Sequence, residues 1–170
     1  MLKKLFVATI AALSTFTPVG AEVQPGTVSL LETLSSNGIL VTYNHPDCAT
    51  NGSHGQYRWL GFQRELRLCP GDTVDAIDHN TVRHETIHAI QHCVNVARGT
   101  HRNSPVVLDK DEFAQFVEAN LSEETFNQSL KVYPEEQWLM ELEAFAGANA
   151  YTSAELEEMF LMACVASTDT

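Results

Sequence analysis

The sequence predicts an α+β fold, in which a short antiparallel sheet is followed by a set of helices. Two observations predict it. Segments with β-branched and aromatic residues or with alternating polar and apolar positions lie within residues 38–69. From residue 72 onward, apolar residues recur at helical spacing between residues that cap helices. A chain of 170 residues can form one sizeable core, so we expect a single domain over residues 22–170.

The amino terminus has the pattern of a secretory signal peptide. Lys3 and Lys4 precede an apolar run at residues 5–16, and Ala21 suits cleavage after it. A retained membrane anchor is the weaker alternative, because the run has about 12 residues and a spanning helix needs about 20. We therefore expect residues 1–21 to be removed and the protein to be secreted or periplasmic.

Three segments after the leader are expected to form two or three antiparallel strands. Residues 38–43 are rich in β-branched and aromatic side chains and precede a turn-prone stretch at 44–47. Residues 57–62 have the same character. Residues 65–69 alternate polar and apolar side chains before the Pro-Gly pair at 70–71 ends the pattern.

The remainder of the chain is expected to be helical. A long helix begins near Val74 or Asn80 and ends near Ala97, because Gly99 suits the left-handed conformation that often follows a helix. Further helices are expected at residues 111–119, at 122–132 with Ser122 as N-cap, at 134–150 with Pro134 in the first turn, and at 152–165 with a capping box from Thr152 to Glu155.

Charge and cysteine content narrow the classes of function. The formal net charge of −12 makes nucleic acid a poor partner and opposes stable association with anionic membranes. An even number of cysteines in an exported chain favours two disulfides, for which three pairings are possible. From their order and predicted elements we favour Cys48 with Cys69 and Cys93 with Cys164.

The segment His84-Glu85-Thr86-Ile87-His88 matches the zinc-peptidase pattern H-E-x-x-H within the predicted long helix. Residues four apart share a helix face, so both imidazoles can reach one zinc ion. Glu85 is then placed to take a proton from a water molecule that the metal activates. The alternative is two ordinary histidines on a solvated helix face.

Two routes to a third ligand are excluded by the sequence. The metzincin pattern needs glycine at position 91 and histidine at position 94, where this chain has Gln91 and Val94. His92 is too far from His84 to bind the same ion, because eight residues of helix rise about 12 Å. A ligand must therefore come from another part of the chain.

The helix predicted at residues 134–150 carries two glutamates in a run of apolar and small residues. A glutamate is out of place there unless it is paired or bound to a metal. We favour Glu143 as the third ligand, because Gly147 one turn later allows a neighbouring helix to approach. Glu141, about 160° around the helix, is the alternative, and the third possibility is that both glutamates are solvated.

His84, Glu85 and His88, with Glu143 on a later helix, resemble the gluzincin zinc metallopeptidases. The resemblance implies a zincin-like catalytic domain and a glutamate ligand on the later helix. It also implies a strand beside the cleft that holds an extended peptide, for which residues 65–69 are the candidate.

We therefore expect an exported, monomeric metallopeptidase that hydrolyses peptide bonds in a peptide or protein substrate. Zn2+ would be held by His84, His88 and Glu143, and Glu85 would be the general base. Tyr133, Tyr151 and His92 all remain open as donors to the developing oxyanion. The alternative is a non-catalytic secreted binding protein with a structural or vestigial metal site.

Overall fold

A computed structural model describes residues 25–51, 54–70, 78–100 and 104–166 of the chain. The predicted signal peptide lies outside the described residues, as does Val74, one proposed start of the long helix. Among the residues described, no helix combines the length and the apolar character needed to cross a lipid bilayer. The helices and strands follow in chain order: α1 (Pro25–Ser36), β1 (Ile39–Tyr43), α2 (Cys48–Asn51), β2 (Gly55–Leu60), β3 (Gln63–Leu68), α3 (His79–Arg98), α4 (Lys110–Asn120), α5 (Glu123–Val132), α6 (Trp138–Ala150) and α7 (Ser153–Phe160).

The fold class is α+β, as predicted, but the sheet is mixed. β3 is the central strand, with β1 parallel to it on one side and β2 antiparallel to it on the other. The prediction of an antiparallel sheet was wrong for β1. The chain leaves β1 through α2 and returns through the β2–β3 hairpin, so β3 runs in the same direction as β1. At the hairpin, Gly61 takes the left-handed conformation that the turn requires, with φ 72°.

Most helix ends have the local cause that the sequence indicates. Gly99 follows α3 in the left-handed conformation, with φ 64°. Ser122 caps α5, and Thr152 with Glu155 forms the capping box of α7. Pro134 differs from expectation, because it precedes a 3-10 turn at Glu135–Gln137 and α6 begins only at Trp138.

The carboxyl-terminal helix and the amino-terminal helix also differ from expectation. The last helix is α-helical only to Phe160 and continues as a π-helical turn at Leu161–Val165. The helix α1 was not predicted, although its buried residues recur at helical spacing: Thr27, Leu30, Leu31 and Leu34.

The main core joins the sheet to α1, α3, α6 and α7. Its fully buried side chains include Phe160, Leu156, Leu30, Leu34, Ile39, Leu66, Leu68 and Val82. A smaller cluster on the other side of α6 contains Val117, Leu142 and Ala146, with Phe113 and Phe126 packed against it. Helix α6 therefore packs against α3 on one face and against α4 and α5 on another, which explains why its sequence is apolar and small on most sides.

Both predicted disulfides are confirmed. Cys48 is bonded to Cys69, and Cys93 is bonded to Cys164. The first joins α2 to the end of β3, and the second joins α3 to the turn after α7. Two disulfides fit a protein that resides in an oxidising compartment.

A buried ion pair attaches the segment around α2 to the outer face of the sheet. The guanidinium of Arg67 donates to Glu65 from Nε at 2.9 Å and contacts Asp47, which precedes α2. Thr42 also donates to Glu65, at 3.1 Å. Burial by itself would raise the pKa of Glu65, but the bonds and charge of Arg67 and the bond from Thr42 lower this pKa below its ordinary value.

The lowered pKa makes Glu65 a source of acid sensitivity. The stabilisation from its carboxylate is fully present above the ordinary pKa of 4.5 and is lost as the pH falls through the lower folded value. We expect Glu65→Gln to lower the free energy of unfolding at pH 7 by roughly 1–3 kcal/mol, because Arg67 loses its buried charge partner. Below pH 4 the difference from the wild type should shrink. Urea unfolding between pH 3 and pH 7 measures this, and Glu118→Gln on an exposed position of α4 is the control. Equal pH dependence in both variants would contradict the assignment.

Candidate metal centre

Helix α3 presents His84 and His88 on the same side, with Glu85 beside them. The two Nε2 atoms are 3.0 Å apart, and the rings meet edge to face. His84 and Glu85 are buried, with 8% and 6% of their surface exposed. The face that carries His84 is therefore buried, not solvated.

Helix α6 adds a carboxylate to these imidazoles, and it comes from Glu141. Its Oε2 atom lies 3.3 Å from Nε2 of His84 and 3.5 Å from Nε2 of His88. Glu141 is 6% exposed. The side chains of His84, His88 and Glu141 thus bring three possible ligand atoms together within one buried group.

Glu143, the residue favoured from the sequence, does not join this group in the structure, whereas the alternative Glu141 does. The carboxylate of Glu143 accepts hydrogen bonds from the backbone N–H groups of Val106 and Val107, at 2.7 and 2.8 Å, and from Nε2 of Gln91 at 2.8 Å. Residues two apart on a helix point in nearly opposite directions. The face of α6 with Glu141 contacts the histidines, whereas Glu143 attaches the segment after α3 to α6.

The electrostatics of the group favour a positive charge at its centre. Burial by itself would lower the pKa of His88, but the carboxylate of Glu141 and the charge of Glu85 raise this pKa to about 9. Burial would raise the pKa of Glu141, yet contact with His84 and His88 lowers it to about 2. A cation placed among these side chains, whether a proton or a metal ion, is therefore stabilised.

The donor atoms fit a metal ion in number, type and spacing. Ligands at about 2.0–2.1 Å from a tetrahedral ion are roughly 3.3 Å apart. The three observed separations are 3.0, 3.3 and 3.5 Å. Oε2 of Glu141 is buried and makes no hydrogen bond of ordinary geometry within the described ranges. Since a buried carboxylate oxygen normally has such a partner, this atom is available as a ligand.

Strand β2 holds Glu85 in place. The backbone N–H of Tyr57 donates to Oε2 of Glu85 at 2.6 Å. The strand can approach this closely because residue 55 is glycine. A Cβ atom there would lie 2.5 Å from Cγ2 of Thr81 and 3.0 Å from Cγ of Glu85. Gly55 therefore sets the distance between the strand and the helix.

The sheet order does not support residues 65–69 as the strand that binds a substrate peptide. These residues belong largely to β3, whose backbone is paired with strands on both sides. β2 is an edge strand, and the N–H of Tyr57 points away from β3 toward Glu85. The strand beside the site is thus β2, which was predicted only as a strand of the sheet.

An open cleft of about 730 Å3 leads to His84 and Glu85. Phe145 packs against the ring of His84, with centroids 4.3 Å apart. Much of the remaining surface of the cleft carries uncharged polar groups from α3, α5 and α6, including Asn80, Thr81, Thr125, Gln128, Ser129 and Asn149. Through this cleft, a molecule in solvent can approach the carboxylate of Glu85.

Of the three residues left open as oxyanion donors, Tyr133 lies at the site. Burial and the negative charges of Glu141 and Glu85 raise the pKa of its hydroxyl. Tyr151 stacks on Phe116, and His92 packs against Trp59. Tyr133 also lines the cleft, so it is placed to donate a hydrogen bond there.

No protein-family model, curated protein or solved structure matches this chain. The case for a metal centre is therefore made by its own geometry: two imidazoles and a carboxylate, buried together on two packed helices, could hold a metal ion.

Proposed function

We propose that the protein is a zinc-dependent hydrolase of peptide bonds. His84, His88 and Glu141 are the metal ligands, and Glu85 is the general base. The observation that carries the proposal is the convergence of three ligand atoms beside a carboxylate. Imidazole nitrogen and carboxylate oxygen, with three protein ligands and one open position, are typical of catalytic zinc.

Bound zinc would polarise the scissile carbonyl and make a water molecule more acidic. Glu85 would accept the proton from the attacking water and then deliver it to the leaving amine. The N–H of Tyr57 holds one oxygen of this carboxylate, which orients the other for proton transfer. Tyr133, with a hydroxyl that stays protonated, would donate to the developing oxyanion.

The position of β2 supports an extended peptide as the substrate. An edge strand offers unpaired backbone groups, and a peptide can bind it as an additional strand. β2 is such an edge and contacts Glu85 through Tyr57. This is the place that the resemblance to gluzincins assigns to a substrate-binding strand, and on this reading the domain is zincin-like. With its disulfides and the predicted signal peptide, the enzyme would be secreted or periplasmic.

One observation favours a second candidate, a non-catalytic binding protein with a structural metal site. Glu85 is only 6% exposed and bonds the backbone of β2. A carboxylate with that bond could serve to attach the strand to the helix. The two candidates differ in whether Glu85 is needed for turnover or only for structure.

Paired substitutions on α6 test the ligand set. We expect the disulfide-bonded wild type to retain about one zinc per chain after dialysis, as a three-residue site predicts. Glu141→Gln should weaken zinc binding by more than about 100-fold, because a ligand matters more than the residues that support it. Glu143→Gln should still bind about one zinc at saturation. Metal analysis and chelator competition measure both. The reverse pattern would make Glu143 the ligand, and no zinc in the wild type would remove the metal site.

Substitution of Glu85 separates catalysis from structure. Glu85→Gln keeps an acceptor for the N–H of Tyr57 but cannot take a proton, so zinc content and folding should be unchanged. Hydrolysis of a fluorogenic peptide library should fall by about 10²–10⁴-fold, and Glu118→Gln should behave as the wild type. Full activity in Glu85→Gln would exclude this residue as the base. A zinc-loaded wild type without activity across the library would favour the binding protein.

A further inference from the structure

Behind the metal group, a buried chain of hydrogen bonds leads from His88 through Gln91 to Glu143. We propose that Gln91 is a positioning residue that fixes His88 with its Nε2 lone pair toward the metal, and that Glu143 holds Gln91 in the required orientation. The inference rests on the proposed metal site and adds the residues that prepare it. From the sequence alone, Gln91 is only a mismatch to the metzincin pattern.

The orientation of the Gln91 amide is decided by its neighbours. One end of the amide lies 2.9 Å from the carbonyl oxygen of Met140 and 2.8 Å from Oε2 of Glu143. A backbone carbonyl can only accept hydrogen bonds, so the NH2 group must be at this end. The amide oxygen of Gln91 therefore faces the other way, toward His88.

This orientation determines which nitrogen of His88 carries hydrogen. Nδ1 of His88 lies 2.7 Å from Oε1 of Gln91. An amide oxygen can only accept, so Nδ1 must be the donor. In the neutral ring Nε2 then has a free lone pair, and Nε2 is the atom that faces His84 and Glu141. A histidine ligand whose other nitrogen donates in this way is fixed in both tautomer and ring position.

Glu143 gives the arrangement its rigidity. Its carboxylate accepts from two consecutive backbone N–H groups, those of Val106 and Val107, as well as from Gln91. Gln91 is 1% exposed and Glu143 is 4% exposed, so water does not compete for these bonds. The segment after α3 is thereby connected to the metal group through side chains that touch no metal.

His84 offers a comparison within the same site. Its Nδ1 atom is buried and has no hydrogen-bond partner among the residues that the structure describes. The orienting bond is therefore specific to His88. A probe that distinguishes the two Nδ1–H groups can separate the effect of Gln91 from a general change at the metal.

The test compares Gln91→Met, which keeps length and removes the acceptor, with Gln115→Met at an exposed position of α4 as the matched control. Zinc affinity is measured by chelator competition on the full disulfide-bonded chain. Nuclear magnetic resonance of the 15N-histidine-labelled, zinc-loaded protein reports exchange of the His88 Nδ1–H. We expect Gln91→Met to lose 10–100-fold in zinc affinity and to lose exchange protection at His88. Gln115→Met should match the wild type in both.

A second variant keeps the proposal falsifiable if Gln91→Met does not fold. Gln91→Glu has the same size, and its carboxyl group, protonated beside the carboxylate of Glu143, keeps an acceptor toward Nδ1 of His88 and a donor toward Oε2 of Glu143. We expect this variant to bind zinc within about tenfold of the wild type, at the weak end of the effect of a supporting residue, and to keep the protected His88 Nδ1–H. Wild-type affinity and protection in Gln91→Met, or loss of both in folded Gln91→Glu, would overturn the positioning role. A wild type that binds no zinc would instead refute the metal site itself.

Discussion

The close packing of α3 against α6 is the contact on which the candidate site depends. Gly147 on α6 lies in this contact, where an added Cβ atom would be 2.5 Å from Cδ1 of Ile87. At this distance Glu141 reaches both imidazoles of α3. The other elements support the pair: the sheet and α1 pack below α3, while α4 and α5 cover the outer face of α6. A bulkier residue at position 147 would force the end of the Ile87 side chain to shift.

Four buried glutamates show how differently the fold treats the same chemical group. Glu65 has a guanidinium partner, and Glu143 has two backbone N–H groups and an amide. Glu85 has one backbone N–H at one oxygen, and Glu141 has only the imidazoles. Because buried carboxylates normally require partners, the two with fewest fixed partners are the ones free to act on something else. Glu85 lines the cleft, and Glu141 contacts His84, which also lines it.

The helices and the H-E-x-x-H motif could be predicted from local signals in the sequence. The third residue of the metal group and the direction of β1 depend on contacts between distant segments. Gly99, Ser122 and Thr152 mark helix ends through their own backbone preferences, so they could be predicted. The choice between Glu141 and Glu143 could not, because it depends on which face of α6 meets α3. Whether β1 is parallel or antiparallel to its neighbour likewise depends on pairing with a distant segment. The residues of β1 alone do not indicate which it is.

The disulfide between Cys93 and Cys164 has a consequence for how the ligands find one another. The two cysteines are 71 residues apart, and the bond links α3 to the end of the last helix. Through this crosslink, the path from His88 to Glu141 contains roughly half as many residues as the direct path along the backbone. Halving a flexible loop lowers the entropic cost of closing it by about 0.6 kcal/mol. The oxidised chain therefore searches a smaller conformational space before its metal ligands meet, and oxidation of the thiols assists assembly of the centre.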